Sequence, residues 1–340
     1  MVRVRHVNNN HSNPCGKTDR SFWGERMKAL IPLALLLISL PMFVPSAYLY
    51  LIGLALVFAI LVASWDLMVG YTGQVNLGHT TFVGLGAYVA AILQVPSRIG
   101  VALEVHPFLA ILLAGIFSAL VGLAIGLITL RLKGYYFSLV TAILPLVFMQ
   151  KVFVWRSIFG GEEGFSIPSE KLLVASTIEK YYVAVAFAIV SMALMFAITN
   201  SKIGLRFKAI RDSEELAEAL GIDTTKYKVL AFVLSSFFAG IAGAVFVNYR
   251  LTVAPDLYDV PLMLLIILSA VIGGLGTLWG PFLMGVFVYL AKNWWLTAFR
   301  SGIVNEEIIL YAILIVVAIL MPKGVYNEIQ EKLRERSTRS

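Results

Sequence analysis

Ionisable side chains set inside long apolar runs are where a sequence of this kind would do chemistry. Such groups are expensive in hydrocarbon and are usually kept there for a function. Asp66, Lys151 and Lys292 qualify by position. Asp66 and Lys151 lie within about one turn of the end of an apolar run, and Lys292 is long enough to carry its ammonium to a surface. Anchoring at a membrane interface is therefore the expectation for all three, because a proton or sodium relay needs carboxylates nearer mid-membrane. His79, in LGHTT, stands beside an apolar run, and a satisfied structural histidine is its plainer reading. His6, His11 and His106 are scattered and Cys15 is the single cysteine, so neither a metal-ligand cluster nor a disulfide framework is expected. The chain has no HExxH, GxSxG or Walker A pattern. It does not read as an enzyme, and any ATP and Mg it depends on would be bound by another subunit.

A second chemistry is suggested by the polar stretch Asn200–Lys228, NSKIGLRFKAIRDSEELAEALGIDTTKYK, which separates two apolar runs. Lys202, Arg206, Lys208, Arg211, Lys226 and Lys228 cluster at its two ends, around a short helix predicted between Ser213 and Gly221. Ser213 suits the N-cap, Glu214 and Glu215 suit the first turn, and Gly221 suits the C-terminal stop. Leu216, Ala219 and Leu220 share one face, with Glu214, Glu215 and Glu218 around the other. Such a helix between two spans is a natural docking surface for a soluble partner; a solvated loop is the alternative, and periodicity leaves both open.

Glycines carry the third signal. Gly70, Gly73, Gly78, Gly84 and Gly86 punctuate one segment, and Gly273, Gly274, Gly276, Gly280 and Gly285 another. Small residues let membrane helices approach closely, and glycine permits backbone breaks where irregular chain lines a protected cavity.

The elements that must position these residues are membrane spans. Of 340 residues, 59% are hydrophobic and 14% charged, with a mean hydropathy of +0.85; a soluble domain carries about 25% charged residues. Apolar runs are read at Ala29–Ala47, Tyr48–Val69, Thr80–Leu93, Pro107–Leu130, Tyr135–Val154, Tyr181–Thr199, Val229–Val247, Pro261–Ile272, Pro281–Ala298 and Ile308–Leu320. Crossing a bilayer takes about 20 apolar residues, which leaves Thr80–Leu93 and Pro261–Ile272 marginal and either one a re-entrant candidate. The expected fold is an all-α polytopic bundle of about ten transmembrane helices, eight or nine being the alternatives. It comprises a tail over residues 1–28, a membrane domain over 29–322 and a tail over 323–340. Basic residues crowd the N-terminal tail, the Arg131–Lys133 turn, the Asn200–Lys228 stretch and the C-terminal tail. That places both termini inside, with Trp155, Trp279, Trp294 and Trp295 near span ends as an interfacial belt. The net charge of +7 follows this pattern and does not point to nucleic acid.

Several stretches, taken together and in order, resemble the permease subunits of branched-chain amino acid ABC importers, the LivM type in particular. They are GYTGQVNLGHTTFVGLGAY, RLKGYYFSLVTAIL, FGGEEGFSIP, the long GLRFKAIRDSEELAEALGIDTTKYKVLAFVLSSFFAGIAGA, and Ile272–Gly285. The resemblance runs from about Leu54 to Pro322. Phe159 and Phe165 depart from the family's outer-loop residues, and Gly221 follows Ala219 sooner than the family's loop motif has it. The resemblance implies an inner-membrane subunit working with a second, LivH-type permease, two ABC ATPase subunits that hold the ATP, and a periplasmic solute-binding protein. It assigns ATPase coupling to Arg211, Asp212, Glu214, Glu215, Glu218, Ala219, Leu220 and Gly221. The translocation pathway would involve Gly73, Gln74, Asn76, Gly78, His79, Thr80, Gly273, Gly274 and Gly276, with Thr81 alongside. Leucine, isoleucine or valine is the implied solute, with urea, short amides or other amino acids as alternatives. A secondary carrier or channel, and a membrane-bound enzyme or assembly factor, remain as other classes.

Overall fold

The structure, a computed structural model, describes residues 37, 39–100, 105–132, 135–168, 174, 176–295, 311–316 and 319. The two tails, the first part of the Ala29–Ala47 run and parts of the Ile308–Leu320 run lie outside the described residues. The chain divides into two compact units, Met1–Val44 and Pro45–Ser340. In the first, a 3-10 turn forms at Leu40–Met42.

The second unit is built on α1, Ser46–Thr72, whose side chains are buried without a break from Gly53 to Thr72. A helix apolar on every side is covered either by other helices or by lipid, and α1 is covered by helices. Next come α2, His79–Gln94; α3, Pro107–Thr129; and α4, Tyr135–Val154, with Pro145 inside it. They are followed by α5, Thr177–Thr199, opened by a capping box in which Ser176 and Glu179 satisfy each other's backbone amides. The polar stretch folds into α6, Lys202–Asp212, and α7, Glu214–Ala219. Finally come α8, Thr224–Arg250; α9, Val260–Gly273; and α10, Trp279–Leu290. Helices α5, α8, α9 and α10 pack around α1, while α8 also packs along α2 and α3.

Small residues decide the closest crossings. Gly86 of α2 faces the backbone of Gly240 on α8, and Gly243 faces that of Val83, so an added methyl at either would overlap main chain. Without a hydrophobic drive between helices in lipid, such close van der Waals contact holds a bundle together. The outward faces of α3 and α4 are apolar and open, with Leu120, Ile128, Leu139 and Ile143 all exposed. That is the surface a hydrocarbon environment would cover.

Among the described residues, α1, α3, α4, α5 and α8 are long and apolar enough to cross a membrane. The runs read as marginal are short helices: α2 has 16 residues and α9 has 14, about 24 Å and 21 Å at 1.5 Å per residue. The Pro281–Ala298 run is cut as well. Its regular helix α10 stops after 12 residues and continues as a π turn over Ala291–Trp295.

Loops gather at two opposite ends of this unit. At one end β1, Phe165–Ser166, pairs antiparallel with β2, Thr252–Val253, a ribbon the all-α expectation did not include. Beside it Arg98 donates to the Ile158 carbonyl (3.2 Å) and lies 4.1 Å above the Phe165 ring, and Tyr88 stacks on Tyr258. At the other end meet the break after α1, the helices α6 and α7, and the α9–α10 turn.

Candidate functional site

The chemistry-bearing residues from the sequence collect at that second end. Ser213 is extended (φ −163°) and ends α6 while capping α7, its hydroxyl accepting from the Leu216 amide at 3.3 Å. Gly221 closes α7 in the left-handed region (φ +81°). Its amide donates to Glu218 and that of Ile222 to Ala217, the Schellman arrangement expected of a helix-ending glycine. Both helix ends were thus legible in the sequence.

The orientation of α7 was not. Glu214 accepts from the nearly enclosed Lys228 ammonium at 2.6 Å, and Glu218 accepts from the Thr224 hydroxyl at 2.7 Å. Two of the three glutamates therefore face the start of α8, and Ala217 is buried beneath them. Leu216 and Leu220 point to the surface, 61% and 73% exposed, joined by Leu205 of α6; Ala219 is exposed too. The apolar face looks outward, and of the glutamates only Glu214 is half-buried, Glu215 and Glu218 being exposed; a helix lying on its own protein would instead cover its leucines. Lys228, the cation that fixes this orientation, was missed as a partner; its place 14 residues beyond Glu214 gives no local pattern to read.

Asp66 is the main correction. It is completely buried rather than anchored at an interface. One carboxylate oxygen accepts from the Gly276 amide at 2.7 Å and the other from the Leu278 amide at 3.1 Å. Those amides belong to the α9–α10 turn, in which Gly274, Gly276 and Leu278 all have positive φ (101°, 77° and 60°). For leucine that conformation costs about 1–3 kcal/mol, and the carboxylate holds it in place. Gly70 follows Asp66 by one helical turn, and a methyl there would overlap the Asp66 carboxylate and the Gly276 amide. A carboxylate four residues before a glycine on one helix is the signal that could have shown where a second backbone approaches. Lys151, by contrast, is exposed and lies 5.6 Å from the Trp155 ring, as an interfacial residue should.

Arg211, at the last turn of α6, reaches the same joint. Its guanidinium donates to the Gly70 carbonyl at 2.9 Å and pairs with Asp212 at 3.2 Å. The glycine breaks are thus brought together at Gly70–Gly73 and Gly276, around Arg211.

The rest of the first break turns elsewhere. The Trp65 indole donates to the Asn76 carbonyl at 2.7 Å, the Ser138 hydroxyl to Val75 at 2.8 Å, and the Leu77 amide to Thr141 at 3.2 Å. These bonds hold Gly73–Gly78 between α1 and α4; neither Trp65 nor Thr141 was singled out in the sequence. Asn76, His79, Thr80 and Thr81 are all buried, Gln74 is half-buried and Gly73 exposed. Nε2 of His79 lies 2.9 Å from the Ser64 hydroxyl, which already donates to Leu61. Nδ1 of His79, Nδ2 of Asn76 and the hydroxyls of Thr80 and Thr81 have no partner among the described residues. Nor do the described residues hold a cluster of His, Cys, Asp or Glu fit to bind a metal ion.

Comparison with known proteins places these features in context. The model of the family described as the permease component of branched-chain amino acid transport systems matches residues 47–318. The chain is 24% identical to the high-affinity branched-chain amino acid transport system permease protein LivM of Salmonella typhimurium, over 91% of this chain and 76% of that one. It is 22% identical to the corresponding LivH of Escherichia coli, over 79% and 90%. It is also 30% identical to the D-allose transport system permease protein AlsC of Escherichia coli, over 68% and 65%. No solved structure matches it significantly.

Proposed function

We infer the role of this chain from the family to which it belongs, the permease components of branched-chain amino acid transport systems. It is a multi-pass membrane protein and a translocating subunit rather than an enzyme. We propose that it forms, with a second LivH-type permease, the path by which leucine, isoleucine and valine enter the bacterial cytoplasm. Two ABC ATPase subunits would bind ATP and Mg, and a periplasmic binding protein would deliver the solute. About ten spans with both termini cytoplasmic would put Asn200–Lys228 on the ATPase side, in agreement with the basic residues of that stretch.

The observation that carries the coupling role is the outward apolar face of α7. Leu216, Ala219 and Leu220 stand exposed while Glu214 and Glu218 are held from behind by Lys228 and Thr224. A short capped helix clamped at its polar face is stiff enough to pass a push from a partner into the body. For the pathway, the unpartnered polar atoms of Asn76, His79 and Thr80 support a role in meeting a zwitterion once the helices part, since buried polar groups are nearly always satisfied. Gln74, Gly73, Gly78 and the glycines Gly273, Gly274 and Gly276 would let those helices shift. Asp66 is held by two backbone amides, which supports a structural role at the turn. Similarity to a D-allose permease favours one second reading, a different small polar solute on the same scaffold.

The test is purification from detergent with mass spectrometry of the accompanying chains. Two ATPases and a second permease are expected. Recovery of this chain alone, in a form that moves solute without ATP, would overturn the proposal. Gly221→Pro is expected to uncouple transport from ATP hydrolysis while the subunit still inserts, because proline locks φ near −65° where +81° is needed. Glu218→Lys, which sets an ammonium against Thr224 and near Lys228, is expected to do the same; native uptake per ATP in either variant would refute the coupling role.

A further inference from the structure

The eight residues assigned to coupling do not all face a partner, and Arg211 is the exception of interest. Its guanidinium bonds the Gly70 carbonyl, 141 positions earlier in the chain. A methyl at Gly276 would stand 2.7 Å from its Nη1, and one at Gly73 would stand 3.5 Å from its Cγ. Glycines from both breaks thus frame this one side chain, and a larger residue at Gly276 would meet the Gly70 carbonyl and be strained at φ +77°. Behind the frame, Asp66 grips the far side of the same turn through Gly276 and Leu278. In front of it, α7 begins three residues on, after the extended Ser213. A second tie runs in parallel, the Lys208 ammonium lying 5.5 Å from the Tyr71 ring at the end of α1.

We propose that Arg211 is a positioning residue that pins the docking helix to both glycine breaks, so that movement of α7 shifts the end of α1 and the α9–α10 turn together. It rests on the coupling role proposed for α7 and gives that role its internal route. A planar guanidinium suits the task. It forms several directed bonds at once, and it adds α6 to the tie that Asp66 already makes between the two breaks. Arg211 would then turn inward to the protein rather than outward to the ATPase.

The experiment uses the whole importer reconstituted in vesicles, with Arg211→Met and Arg211→Lys. Both variants are expected to keep their ATPase subunits on purification. In Arg211→Met, uptake should fall about tenfold or more, the factor one charged hydrogen bond commands, while ATP hydrolysis continues, so ATP consumed per solute rises. Arg211→Lys, able to reach one carbonyl but not to span the frame, should fall between. A readout that mere destabilisation would not move is the separation of spin labels at Ile222→Cys, just past α7, and Leu275→Cys, in a Cys15→Ser background. That separation should stay constant through the ATP cycle with Arg211 and vary with methionine or lysine in its place. Native uptake per ATP in Arg211→Met, or a constant separation there, would overturn the proposal. Loss of the ATPases from both variants would also overturn it, by making Arg211 part of the docking surface. If the coupling role itself is wrong, the unaltered chain will purify without ATPases, which is distinguishable from all of these.

Discussion

Replacing Leu216 and Leu220 together with aspartate is expected to strip the ATPase subunits from the purified complex while the chain inserts at native yield. Both side chains lie at the surface, where substitutions usually change folding stability by less than about 0.5 kcal/mol. The effect should therefore appear in association and not in folding. Apolar anchors at the centre of an interface contribute at least about 2 kcal/mol each, so losing both weakens binding roughly a thousandfold. Affinity of purified ATPase for the solubilised permease measures this directly. A native affinity would mean that the exposed leucines of α7 meet lipid or solvent and that the docking surface lies elsewhere.

The second large effect is expected at Asp66→Ala. Removing the carboxylate leaves the Gly276 and Leu278 amides without acceptors inside the protein, at about 1–3 kcal/mol each. It also frees the strained Leu278. The sum, about 2–6 kcal/mol, is a large part of the 5–15 kcal/mol by which proteins are usually stable. Asp66→Ala should therefore unfold at a markedly lower temperature in detergent or be lost from the membrane. Asp66→Asn, which keeps one acceptor oxygen, should lose about half as much. Equal stability of Asp66→Ala and the native chain would show that the turn holds its shape without the carboxylate.

These two sites differ in how far the sequence disclosed them. Five long apolar helices were plain because apolar length is a property of the chain itself: Tyr135–Val154 emerges with the boundaries read for it, and Pro107–Thr129 within one residue. The caps of α7 were plain for the same reason, since Ser213 and Gly221 act on their nearest backbone groups. Which face of α7 meets the protein was not, because a helical wheel groups residues without saying which group is covered. Lys228 settles it from the next helix. Asp66 was misread on its position near the end of a run, which says nothing about the turn 210 residues later that closes over it. Local chemistry was legible and long-range pairing was not.

The β1–β2 ribbon has a consequence for synthesis. Its two strands, joined also by Ser166 and Thr252 side chains 3.4 Å apart, are 86 positions distant. At about 5–20 residues per second the ribosome takes roughly 4–17 s to make the second strand after the first. Over that interval α5 to α8 are made while the loop carrying Phe165 waits without its partner. A nascent chain halted before Thr252 would therefore lack the ribbon, and a complete one would have it.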